Sequence, residues 1–214
     1  MPLYFLLFDP GKFNKLARPL GEGWARRAFD PLQLVCRDLR AAADKFADRF
    51  GMTAGDLLIT QALRGVALDR NLWRTLIGEI LLMTAEEVPE IETAPQALTC
   101  LLAPHRYRER VGQRECYAPI EQAHFGSRDL VFGHAYYRPE HAGWNDVEDV
   151  ARLAQYFTGI DPSVWQVSYL AELRDIDPED RADELDYARQ CFGALQGLYR
   201  GAADCGRIVV CEEI

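Results

Sequence analysis

Four imidazoles crowd one stretch of this chain: His105, His124, His134 and His141 fall between positions 105 and 141, with Cys116, Glu121 and Glu140 among them. Imidazole nitrogen, thiolate and carboxylate are the ligands a zinc ion takes, and imidazole is the usual general base near neutral pH. A metal centre needs three or four such groups on one point. The order Cys116-x7-His124-x9-His134-x6-His141 contains no CxxC, HxxxH or HExxH, the spacings with which a knuckle or a helix face brings ligands together. We therefore expect no metal and no cofactor, and read the histidines as scattered or hydrogen-bonded.

Residues 133–144, Gly-His-Ala-Tyr-Tyr-Arg-Pro-Glu-His-Ala-Gly-Trp, hold the second lead. His134, Tyr137, Arg138, Glu140, His141 and Trp144 are the inventory of a pocket for an anion or a ring. Arg138 supplies bidentate recognition, and Tyr137 and Trp144 supply apolar walls. The competing reading makes Tyr136, Tyr137 and Trp144 core aromatics, with Arg138 paired to Glu140. Nucleophilic catalysis finds less support, because there is neither a Gly-x-Ser-x-Gly elbow nor a Gly-rich phosphate loop, and Ser127 and Ser163 have no recognisable context. The acidic groups Glu86/Glu87 and Asp146/Glu148/Asp149 fall in expected first helical turns, where the helix dipole favours them.

The chain that must position these groups has 214 residues, of which 49% are hydrophobic and 27% charged, the range of an ordinary globular protein. No apolar run approaches the roughly 20 residues of a bilayer span. The start lacks the basic segment of a secretory signal, so a cytoplasmic location is expected. The net charge of -9 is uneven: residues 1–80 carry 12 Lys+Arg against 9 Asp+Glu, and residues 81–214 carry 12 against 24. A phosphate-backbone binder draws its affinity from clustered Lys and Arg, so nucleic acid is excluded as an expected partner. The densest charge run, residues 172–186, has eight acids against Arg174 and Arg181. It is either a solvated face or a docking surface for a basic protein. The six cysteines, Cys36, Cys100, Cys116, Cys191, Cys205 and Cys211, fall at apolar helix and strand positions and read as reduced core thiols.

Continuous apolarity over residues 3–8 predicts a strand covered on both faces, ended by a turn at Asp9-Pro10-Gly11. Helices are expected from an Asp30 cap to Gly51, from Thr53 to about Val66, and from an Asp69 cap through Leu81. Capping boxes are expected at Thr84-x-x-Glu87 and Thr93-x-x-Gln96. Beyond His105 helical periodicity gives way to glycines, prolines and aromatics, and alternation over residues 129–137 predicts an extended segment. Asn145 should cap a helix over 146–157, and Asp161-Pro162 should start a short one. The clearest signal is the last helix, opened by Asp177-Pro178, with Leu185, Ala188, Phe192, Leu195, Tyr199 and Ala202 on one stripe. Gly206 ends it and residues 208–211 form a final strand. No linker or repeat interrupts the chain, so one domain over 1–214 is the simplest count.

Several of these residues resemble a known family. Residues 147–161, then Glu184-Leu-Asp-Tyr187, Phe192, Leu195, Leu198-Tyr199, Ala202-Ala203, Gly206 and Ile208-Val-Val210, are similar to the close of the YfbM-like domains, small bacterial proteins of unknown function. The first strand followed by Phe13-Asn-Lys-Leu16 resembles that family's opening, without its usual Met-Gly start. The resemblance covers about a third of the chain and carries no chemistry. It implies a mainly helical α+β fold with a small sheet that includes the first and last strands. Residues and resemblance together lead us to expect a binding or interaction protein, an immunity or regulatory partner of a basic protein or a receptor for a small anionic ligand. The alternative is a hydrolase with His134 or His141 as general base beside Arg138.

Overall fold

Strand β1 (Leu3–Phe8) pairs antiparallel with the last strand, β5 (Ile208–Glu213), which lies between β1 and β4 (Ala142–Asn145). A computed structural model describes residues 3–41, 69–109, 117–132, 135–136, 142–173 and 176–213. Side chains alternate across a strand. Phe5, Leu7, Val209 and Cys211 therefore face one apolar cluster, and Leu6, Phe8, Ile208 and Val210 face a second. Both faces of the sheet are covered, as the unbroken apolar run requires.

The second cluster is closed by α1 (Pro10–Arg26), α2 (Gln33–Ala41) and α3 (Arg70–Thr84). Asp9-Pro10-Gly11 starts α1 and is not the expected turn. Asp9 keeps extended backbone and its carboxylate accepts the Lys12 N–H at 3.0 Å, while Pro10 takes the first helical position, where its missing N–H goes unneeded. Asp30 does not cap α2; it lies inside a short 3-10 turn, Asp30–Leu32, that leads into the helix. Asp69 caps α3 as expected, accepting from Asn71 N and Leu72 N. The helix expected over 53–66 lies outside the described residues.

The first cluster is closed by α4 (Pro95–Leu102), α6 (Pro119–Phe125), α7 (Val147–Thr158) and α8 (Arg181–Asp204), with the short α5 (Pro104–Glu109) following α4. Three expected caps are corrected here. Thr84 ends α3, its hydroxyl bonded back to the Ile80 carbonyl at 2.6 Å, so no helix opens there and Glu86 and Glu87 are not first-turn acids. The N-cap of α4 is Ala94, without a side-chain bond, in place of Thr93. Asp146, not Asn145, caps α7, accepting the Asp149 N–H at 2.8 Å. The stretch after His105 is more helical than expected, and the extended segment is split: β2 (Val131–Phe132) and β3 (Ala135–Tyr136) form a small antiparallel pair.

Both sheet edges are blunted by single bridges. Leu7 N–H donates to the Glu87 carbonyl and Glu86 N–H to the Leu7 carbonyl beside β1, while Arg128 and Trp144 exchange both backbone bonds beside β4. Each bridge occupies the outward backbone groups of one edge residue, Leu7 on β1 and Trp144 on β4. Of the six cysteines, Cys36, Cys100, Cys191 and Cys211 are buried, and Cys116 lies outside the described residues. Cys205 is free but exposed, which corrects its reading as a core thiol.

The stripe of α8 is the hub of its cluster. Phe192, 1% exposed, meets Phe157 at 5.7 Å and Trp165 at 5.1 Å in edge-on contacts. Phe192→Ala should cost about 3–5 kcal/mol, read as a lower midpoint in urea unfolding. An unchanged midpoint would show the stripe to be peripheral.

Candidate functional site

Of the six residues singled out in 133–144, only Trp144 is described; His134, Tyr137, Arg138, Glu140 and His141 lie outside the described residues. Trp144 is half-buried on β4. Its ring stands 5.5 Å from Phe13, its indole N–H donates to the Asp129 carbonyl at 3.1 Å, and the Arg128 guanidinium lies 6.0 Å from it. It lines a recess of about 300 Å³ together with Asp146, Glu148 and Asn14. The two other described histidines stand apart. His105 is exposed on α5, and His124 is buried on α6; no group of three metal-ligating side chains forms among the described residues.

Beside Trp144 sits a polar network that sequence reasoning missed. Asn145, fully buried, accepts from Ser127 N–H at 2.9 Å and Ser127 hydroxyl at 2.6 Å, and donates from Nδ2 to the Gln122 carbonyl and the Tyr199 hydroxyl, each at 2.9 Å. The Tyr199 hydroxyl in turn donates a hydrogen bond to the Ala123 carbonyl at 2.8 Å. Burial holds the Tyr199 phenol well above its ordinary pKa. Every arm of the Asn145 amide is used, which marks it as architecture. The signal was ambiguous because Asn145 and Asp146 are both cap-forming residues. Around the rim, Arg128 binds Asp146 at 2.6 Å and Asp149 at 3.1 Å, and Arg152 also reaches Asp149.

Arg106 and Glu121 form a second buried pair at 2.9 Å. The same Glu121 oxygen accepts the Ala118 N–H at 2.7 Å, so it closes the start of α6 and takes no part in a cleft.

A concavity opens at the other end of α8. About 430 Å³ in volume, it is lined by Ile176, Asp177, Asp180, Asp183, Glu184 and Tyr187. The acids come from the turn before α8 and its first turn, where the helix dipole favours them. Two nearby cations among the described residues are committed elsewhere: Arg189 donates to the Pro162 and Trp165 carbonyls at 3.1 and 2.8 Å and to Asp186 at 2.8 Å, and Arg181 turns back toward the Ala171 carbonyl, while Arg174 lies outside the described residues. Desolvation raises the Glu184 pKa. Desolvation first, then the hydrogen bond to Cys191 and the charges around it, pushes the Tyr187 phenol up to about 12. Through the Pro162 and Trp165 carbonyls Arg189 ties the 3-10 turn Pro162–Val164 to α8; this turn and the next, Val167–Leu170, present Val164 and Tyr169, 64% and 47% exposed. Comparison with family models, curated proteins and solved structures returned no match.

His124 sets a pH limit on this architecture. Its Nδ1 lies 2.9 Å from the Ile120 carbonyl and so carries the proton, leaving Nε2 buried without a partner. Burial lowers its pKa to about 4, against the weaker opposing effect of the Ile120 bond. An unfolded chain takes up this proton near pH 6.5 and the folded one only near 4, so stability is full above the first value and falls as pH drops to the second. The loss should reach about 3 kcal/mol, and His124→Phe should abolish that part of it. Urea midpoints of both proteins at pH 7 and 4.5 measure the difference; equal pH slopes would contradict it.

Proposed function

We propose that this protein is a binding or interaction module that receives a basic protein on the acidic surface at the start of α8, in an immunity or regulatory role. The observation that carries the reading is the concavity itself. Asp177, Asp180, Asp183 and Glu184 line it without an ion pair among the described residues, around the exposed edge of Tyr187. Clustered like charge on a folded chain is a standing cost that an oppositely charged partner relieves, and such a patch speeds encounter with that partner. The exposed Val164, Val167 and Tyr169 on neighbouring turns add the apolar contact that charge alone lacks. We further propose that the chain is a cytoplasmic member of the YfbM-like group, on the motifs of its last helix and strand. The hydrolase alternative rests on His134, His141 and Arg138, which lie outside the described residues, and no described geometry favours it.

Titration with an amphipathic lysine–leucine peptide by calorimetry tests the reading. Affinity should fall by about tenfold or more between low salt and about 0.3 M, as the Debye length contracts. The combined Asp177→Asn, Asp180→Asn, Asp183→Asn and Glu184→Gln variant should bind weakly at both. Undiminished binding by that variant would remove this surface from the account.

A further inference from the structure

The recess beside Trp144 combines an aromatic wall with a rim of a single charge sign. At about 300 Å³ it lies at the lower end of the range of small-molecule sites. The first turns of α1 and α7 meet there with the start of β5. Phe13 and Ile208, 5% and 2% exposed, form its floor, and the half-buried Trp144 forms a wall. The indole N–H is already given to the Asp129 carbonyl, so Trp144 offers the recess only its apolar ring.

The rim is rich in acceptors. Asp146 and Glu148 are carboxylates, and no lysine, arginine or histidine lines the recess among the described residues. Arg128 stands outside the lining and answers Asp146. Glu148 is left, exposed on the first turn of α7 and without an ion pair among the described residues. Helices α1 and α7 both begin here, but the positive end of each is met by its own cap, Asp9 on the Lys12 N–H and Asp146 on the Asp149 N–H. Asn14 adds a side-chain amide that accepts as well as donates.

The sequence of residues 133–144 points to an anion or a ring, and the lining onto which Trp144 opens selects the ring, with a positive charge. We propose that this recess binds a free arylalkyl ammonium, its ring against Trp144 and its ammonium group at Glu148. The aryl ring gains by packing on the indole, the cation gains from the negative face of that indole, and the carboxylate fixes the charged end. An anionic ligand would meet Glu148 with no cation of the lining to offset it. The recess shares no residue with the concavity at the start of α8, so the two readings can fail separately.

Calorimetric titrations with phenethylamine, 2-phenylethanol and 3-phenylpropionate form the test, because these ligands are close in size and differ in charge. At pH 7 the amine should bind about fivefold or more tightly than either of the others, the scale of one ion pair near a surface. Glu148→Gln, at an exposed position outside the core, should remove the preference for the amine over the alcohol and leave the affinity of the alcohol unchanged. Asn14→Trp, which fills the mouth of the recess from α1, should block the amine. Equal binding of all the ligands, no detectable binding of the amine, or a preference that survives Glu148→Gln would overturn the assignment.

Discussion

One buried amide, Asn145, joins four parts of the chain that no regular ladder connects. Helix α6 is seven residues long, too short to persist on its own tertiary-free stability. It is held because Asn145 Nδ2 satisfies its Gln122 carbonyl and Tyr199 satisfies its Ala123 carbonyl. Through Oδ1 the same amide fixes Ser127, hence the bridge of Arg128 to Trp144 that blunts the β4 edge. Gly126, at φ 81°, makes the approach feasible: a Cβ there would stand 2.2 Å from Trp144 N. A buried amide with an arm unfilled would cost about 1–3 kcal/mol, so the network is held as a unit.

The sheet that this network completes divides the molecule electrostatically as well as physically. Among the described residues, the helices of one layer come from residues 10–84, the stretch with a slight excess of Lys and Arg, and those of the other from 95–204, where the acids concentrate. The charge asymmetry of the sequence thus becomes an asymmetry of faces. An apolar cleft lined by Phe8, Leu39 and Met83 lies on one and the acidic concavity on the other.

Elements whose signal is intrinsic to a short window were legible: the doubly covered β1, the Asp69 and Asp161 caps, and the α8 stripe, all of whose named residues are buried. Helix α1 was not, because Pro10-Gly11 mimics a turn and Pro19, Gly21 and Gly23 interrupt its interior. Packing of Phe13, Leu20 and Trp24 on the sheet overrides that local disfavour. The shift from Asn145 to Asp146 as cap shows the same limit, since which of two adjacent polar residues is buried depends on Tyr199, 54 positions away. The acidic concavity could be anticipated as a run of charge, but not where Arg181 and Arg189 turn, each toward carbonyls of the preceding turns.

Amide hydrogen exchange of Ser127 tests the central claim, that the Asn145 network is part of the cooperative core. Its N–H bonds to no ladder, only to the Asn145 side chain. The account predicts that Ser127 exchanges through global unfolding, with the same free energy as Val210 in the central strand. Exchange of Ser127 through local opening, at a free energy lower by more than about 2 kcal/mol, would place the network at the periphery and contradict the account.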